Sequence, residues 1–245
     1  MTTLQRTAIV IGVGSAQGLG AALARRFASE GHRVVVSGRT EAKIAQIVRT
    51  IRDDGGKAEA FKADATIESD VTSLFDFAEA SGQIVDLVVF NAGNNVLHDF
   101  RTMPANLFEQ TWRVATFGGF LVGREAARRL APLGKGTVIF TGATASLRGK
   151  PPFTAFASAK AGLRSLAQSM AREFGPAGIH VAHVVIDGGI DGEKLNTAAP
   201  QLKSERGADG LLNIDAIADA YWHLHSQHPS AWTHELDLRP FKERF

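Results

Sequence analysis

Short apolar runs rich in β-branched residues alternate along this chain with longer stretches in which apolar residues recur every three or four positions. The first run, Ala8 to Val13, is continuous and predicts a strand buried on both faces. Leu19, Leu23 and Phe27 then repeat every four residues through Glu30, which predicts a helix with one buried stripe. Val34-Val35-Val36 is a second strand, and Glu41 to Asp54 a second helix with Ile44, Ile47, Val48 and Ile51 on one face. Asp53-Asp54-Gly55-Gly56 reads as a turn. Ala58–Lys62 is a weaker third strand, Ile67–Ala80 a third helix, and Val85–Phe90 a fourth strand.

The alternation continues to the end. A long helix is expected over Phe108–Ala131, a strand over Gly136–Thr141, a helix over Thr154–Phe174 closed by Gly175-Pro176, and a strand over His180–Ile186. Ile214–His225 is a last helix and Trp232–Leu238 a last strand. Strands and helices alternating at this spacing predict right-handed βαβ units. The expected fold is therefore a single-domain α/β, Rossmann-like doubly wound parallel sheet with helices on both faces. No linker-like stretch divides residues 1–245.

Composition narrows the function classes. Of 245 residues, 44% are hydrophobic and 21% charged, the balance of a chain with a sizeable core. No apolar run approaches the length of a membrane span, so no membrane partner is expected. The formal charge of +2 carries no basic block, so no nucleic-acid partner is expected either. The absence of cysteine removes disulfides, thiolate metal sites and thiol catalysis, and fits a cytoplasmic location. Arg6 followed by an apolar run has the outline of a secretory leader, but the run is short and an amphipathic helix follows directly.

The candidate chemistry begins with the glycines between the first strand and helix. Strand, glycine turn and helix form a diphosphate grip, because free N–H groups and the helix dipole both favour an anion there. The GxGxxG pattern would need glycine at Gln17, and Leu19 after Gly18 excludes a Walker loop. The spacing that fits is Gly14-xxx-Gly18-x-Gly20, with Ser15 and Leu19 inside it. This stretch resembles the short-chain dehydrogenase/reductase family. Past strand three, Asp64-Ala65 matches the family's acidic-small pair near the adenine ring. Past strand four, Asn91-Ala92-Gly93 matches its Asn-Ala-Gly motif, with Phe90 in place of the preceding Asn. The resemblance runs from about Thr7 to about Ile190.

Ligands of doubly wound sheets bind beyond the carboxyl ends of the strands. Arg39, just past strand two, is placed to hold the 2′-phosphate of NADP, so NADP(H) is expected over NAD(H). The family's other basic position is Gln17 here, which leaves that signal single. The resemblance also implies an Asn-Ser-Tyr-Lys tetrad. Lys160 fills the Lys position, which in the family binds the nicotinamide ribose, but the Tyr position is Phe156, the Ser position Ala143 and the Asn position Ala115. Among substitutes, Thr144 adjoins the vacant Ser position, as a carbonyl-binding hydroxyl or a loop cap. Asp187 and Asp191, at the mouth of strand six, are candidate acids, against a turn at Asp187-Gly188-Gly189, which is favoured. His98 could face the cleft but reads rather as a solvated loop residue, and Arg148 and Lys150 could attract an anionic substrate but read rather as a solvated basic loop. Tyr221, the one tyrosine, lies too far along to reach the cleft.

His223, His225, His228 and His234 suggest a metal at first sight. On a helix the first two point about 200° apart, and no carboxylate completes a ligand spacing, so no metal site is expected. Residues 190–212 correspond to the family's mobile substrate lid. The family assembles through the helices at Phe108–Ala131 and Thr154–Phe174, which implies a homodimer or homotetramer; Phe241 and Phe245 suggest a further subunit contact. Two readings follow. One is an oxidoreductase acting on a small-molecule carbonyl or alcohol with an unusual proton donor. The other is a nucleotide-binding pseudoenzyme acting by interaction or sensing. The family motifs favour the first.

Overall fold

A computed structural model describes residues 6–243, together with every side chain in that range except that of residue 81. The elements follow in order: β1 (Arg6–Ile11), α1 (Leu19–Ser29), β2 (Arg33–Gly38), α2 (Glu41–Asp53), β3 (Lys57–Lys62), α3 (Glu68–Glu79) and β4 (Ile84–Phe90). The second half holds α4 (Ala105–Trp112), α5 (Gly118–Leu130), β5 (Gly136–Thr141), α6 (Thr154–Phe174) and β6 (Ile179–Ile186). A small insertion follows, made of β7 (Ile190–Asp191), α7 (Glu193–Ala198), α8 (Gln201–Arg206) and β8 (Leu212–Asn213), before α9 (Ile214–His225) and β9 (Glu235–Leu238).

Seven strands form one sheet in the order β3-β2-β1-β4-β5-β6-β9, all paired in parallel. The order reverses between β1 and β4, and a crevice opens there at the carboxyl ends. The continuous apolar runs are explained by burial on both faces. Ala8 and Val10 pack with Leu23, Phe27 and Ile44 on one side, and Ile9 and Ile11 with Phe75, Phe90 and Leu163 on the other. The expected doubly wound fold is therefore present. No helix among the described residues is long and apolar enough to cross a membrane.

Three elements depart from the sequence reading. The helix expected over 108–131 starts earlier, after Pro104, and is interrupted by a π-helical turn at Arg113–Phe117 between α4 and α5. Its seating explains the interruption. Thr116 Oγ1 donates 2.7 Å to the Ala159 carbonyl on α6, and a Cβ at Gly119 would lie 2.4 Å from Leu163 Cδ1. The region read as a lid is not irregular throughout, since β7 pairs with β8 and two short helices lie between them. The last strand begins only at Glu235, because Trp232 instead stacks on His180 with ring centroids 4.9 Å apart. Phe241 is exposed, and Phe245 lies outside the described residues.

Candidate active site

The glycines after β1 have separate tasks. Gly12 has φ +87°, and a Cβ there would lie 2.4 Å from Ala92 N, so the turn and the Asn91-Ala92-Gly93 segment are in backbone contact. Asn91 binds this arrangement from behind: its N–H donates to the Ile11 carbonyl at 2.9 Å and its Nδ2 to the Gly12 carbonyl at 3.4 Å. A Cβ at Gly20 would lie 3.1 Å from Val13 Cα, which is how α1 packs against the end of β1. Gly18 lies against Ser15 Oγ, and Leu19 is buried. Gly14 faces open space. Gly18, Leu19, Gly20 and Asn91 therefore shape the turn, while Gly14 and Ser15 line the cleft in front of it.

That cleft has a volume of about 570 Å³. Arg39, Asp64, Ala65, Ala92 and Gly93 line it, as their strand-end positions predict. Arg39 is 62% exposed, with Nη1 4.0 Å from Asp64 Oδ2. The Asp64 carboxylate is occupied within its own turn, accepting from Thr66 N–H at 2.9 Å and Thr66 Oγ1 at 2.8 Å. Two cations escaped the sequence reading. Lys43, in the first turn of α2, lines the cleft near Arg39. Lys194, in α7, also lines the cleft; burial lowers its pKa, and its Nζ donates 3.0 Å to Asn94 Oδ1. The insertion is tied to the glycine turn itself by Glu193 N–H donating 2.8 Å to the Gln17 carbonyl. An open backbone at Gly14, a long cleft and three cations along it fit an anionic dinucleotide.

Lys160 lies behind the cleft lining, 4% exposed, donating 2.7 Å to the Thr141 carbonyl. Burial pushes its ammonium down to about 8. It adjoins the cleft through Gly93, where a Cβ would lie 3.0 Å from Nζ. The Phe156 ring centroid is 5.8 Å from the same nitrogen. Ala115 is buried in the π-helical turn, and Ala143 N–H donates to Ser146 Oγ at 3.1 Å. None of these three side chains carries a proton to transfer.

Thr144 is tied down by a partner distant in sequence. Its hydroxyl donates 2.5 Å to Asp187 Oδ1, a carboxylate only 2% exposed whose other oxygen faces Arg239 at 3.1 Å and Arg148 at 3.5 Å. Arg148 is thus engaged with Asp187 and is not the solvated loop cation the sequence suggests. Asp187 is likewise a buried ion-pair partner, beyond a simple turn residue. Asp191 pairs with Lys203 inside the insertion, and His98 is half-buried with Nδ1 3.0 Å from the Asp99 carbonyl oxygen. Tyr221 is fully buried in the core, its hydroxyl 2.9 Å from Thr141 Oγ1, and burial raises its pKa above the usual tyrosine range. It stays out of the cleft, as expected.

Comparison with known proteins adds to this geometry. The family model described as short chain dehydrogenase matches residues 7–202. The L-rhamnose 1-dehydrogenase (NAD(P)(+)) of Azotobacter vinelandii is 35% identical over 196 residues, covering 78% of this chain and 75% of that one. The uncharacterized oxidoreductase YuxG of Bacillus subtilis is 33% identical over 211 residues, 85% of this chain, which spans 30% of that longer protein. Among solved structures, a short-chain dehydrogenase from Rhodopseudomonas palustris superposes with a TM-score of 0.82 at 40% identity, covering 96% of this chain and 99% of that one.

Proposed function

The chain belongs to the short-chain dehydrogenase family, and from that premise we propose that it interconverts a small carbonyl compound and its alcohol, prefers NADP(H) to NAD(H), and moves its proton without the family tyrosine. The observation that carries this reading is Lys160, a buried ammonium directly behind Gly93 of the cleft, whose pKa burial lowers to about 8. Bound NADP(H) supplies or accepts the hydride. Reduction of a carbonyl also takes one proton, and Lys160 is the group that holds one. An ammonium of that pKa releases its proton at neutral pH far more readily than an ordinary lysine. Thr144 is less suited to donate, because its own proton already goes to Asp187. It remains able to accept a hydrogen bond from a substrate alcohol and so to orient it.

The NADP preference rests on Arg39 and Lys43, two cations lining the cleft past β2, with arginine rather than an acidic residue at the end of the strand; Asp64, 4.0 Å from Arg39, is held by its own turn. Gly14, Ser15, Ala65, Ala92 and Gly93 would hold the rest of the dinucleotide, with Lys194 facing it from α7. We place the protein in the cytoplasm as a homodimer or homotetramer; exposed Phe108, Trp112 and Phe120 on α4 and α5 favour that packing.

The test is NADPH oxidation against a panel of ketones, aldehydes and quinones. Turnover by the native protein that is lost in Lys160→Met, with NADPH binding still measurable, supports the reading. Tight NADPH binding without turnover on any substrate would instead favour a nucleotide-binding pseudoenzyme.

A further inference from the structure

At the end of the sheet opposite the cleft, three side chains far apart in sequence converge. His32 lies in the turn before β2, Asp86 on β4, and His225 is the last residue of α9. One ligand atom from each lies within 4.8 Å of the other two. We propose that His32, Asp86 and His225 form a zinc(II) site that pins α9 to the sheet.

The placement of Asp86 supports this first. The pairing of β1 with β4 runs Thr7 to Val85 and then Ala8 to Leu87, so Asp86 is the extra residue of a β-bulge. A bulge withdraws a residue from the ladder and re-aims its side chain. Here it directs a carboxylate toward His32, whose Nε2 lies 3.0 Å from Asp86 Oδ1. The histidines support it next. His225 Nδ1 is fixed 2.9 Å from Thr137 Oγ1, which leaves its other nitrogen to serve as a ligand; such an outer partner is how ligating histidines are oriented. His32 is 3% exposed, and its Nε2, the nitrogen that faces Asp86, is the one placed to ligate; its Nδ1 has no hydrogen-bond partner among the described residues.

Two imidazoles and one carboxylate suit zinc with one position left for water. Tetrahedral zinc–ligand bonds of about 2.0–2.1 Å set ligand atoms about 3.3–3.4 Å apart, so His32 Nε2 and Asp86 Oδ1 open slightly from 3.0 Å, and the remaining separations, all within 4.8 Å, adjust to the same spacing. Arg6 Nε stands 3.6 Å from Asp86 Oδ2, beside the oxygen that the zinc would not use. The helical spacing that separates His223 from His225 argued against a metal within α9 alone. It carried no information about His32 and Asp86, which only the fold brings in. The role is structural, because the site and the cleft occupy opposite ends of the strands.

The full-length protein, stripped with a chelator, is titrated with Zn²⁺ by calorimetry and with Co²⁺ by visible absorption. One equivalent should bind, raise the melting temperature, and give Co²⁺ the d–d bands of a four-coordinate centre. Trp222 packs edge-on to His32 at 5.6 Å and lies 5.4 Å from His225, so its fluorescence should change on binding. His225→Gln, at the least buried ligand, should reduce affinity by at least ~100-fold, and Thr137→Val by ~10–100-fold. Arg6→Ala should tighten binding, and His223→Gln should leave it unchanged. Absence of saturable binding, or equal affinity in native protein and His225→Gln, would overturn the site. If Asp86→Asn or His32→Ala does not fold, the His225, Thr137 and Arg6 variants decide the matter.

Discussion

Lys160 Nζ donates a 2.7 Å hydrogen bond to the carbonyl oxygen of Thr141, and this contact accompanies a nearly complete burial of the ammonium. The β5 strand thus presents its last carbonyl to a cation on α6, just where the sheet ends and the cleft begins.

That burial makes the lysine a pH-dependent load on the free protein. Its pKa falls from 10.5 to about 8 on folding. Between those values the unfolded chain holds the proton and the folded chain does not, so stability rises with pH across that window. Below pH 8 the folded state carries the whole penalty, roughly 3 kcal/mol. Lys160→Met, which keeps the volume, should therefore melt several degrees above the native protein at pH 7. The difference should shrink between pH 8 and 10.5. The same variant should bind NADPH more weakly. Thermal melts across pH, without cofactor, check the first part; a native protein whose melting temperature is flat from pH 7 to 10.5 would contradict it.

Restoring the absent groups should raise turnover. Ala115→Asn, Ala143→Ser and Phe156→Tyr together return a hydroxyl donor near Lys160 and the residues that orient it. A positioned general acid is worth about 10²- to 10⁴-fold. The triple variant should gain within that range in kcat on whichever ketone the native protein reduces, with little change in NADPH affinity. Steady-state kinetics on both proteins decide this; equal kcat would mean that the native proton route is already as effective as a tyrosine.

How much of this was legible in the sequence follows from what each residue depends on. The strands β1, β2 and β4 could be read because burial on both faces demands unbroken apolar runs. Gly14, Arg39, Asp64 and Ala92 could be placed because the ends of parallel strands converge on one crevice. The π-helical turn could not, since it depends on Thr116 reaching Ala159 on another helix. Nor could the commitment of Thr144 to Asp187, partners 43 positions apart that only the meeting of β5 and β6 brings into contact. Lys194 was hidden for a related reason: its segment folds back over the cleft through Gln17, and nothing in its own pattern announces that contact.

Cofactor choice should depend on two cations. Arg39→Ala and Lys43→Ala should each weaken NADPH binding by roughly one order of magnitude, as loss of a charge-assisted contact to phosphate does. NADH binding should be nearly unaffected, and the double variant should lose the preference. Titrations at low and moderate salt provide the check, because the NADPH advantage should also shrink as salt screens these exposed groups. Equal affinities for the two cofactors in the native protein would remove the case for an NADP preference.

The glycine turn offers a comparison between two sites two residues apart. At Gly12 an added methyl meets the backbone of Ala92 at 2.4 Å, and φ is +87°. Neither the clash nor the conformation can relax without separating the β1 turn from the Asn91-Ala92-Gly93 segment. Gly12→Ala should therefore destabilise the fold by at least about 2 kcal/mol. At Gly14 the same methyl meets nothing within 4 Å, because it points into the cleft. Gly14→Ala should leave stability nearly unchanged and instead weaken dinucleotide binding, since the added carbon stands where the backbone must approach a phosphate. Denaturant unfolding and cofactor titration on both variants separate the two effects. Equal loss of stability at both positions would mean that Gly14 supports the turn as Gly12 does, and the assignment of the open side of the turn to the phosphates would fall with it.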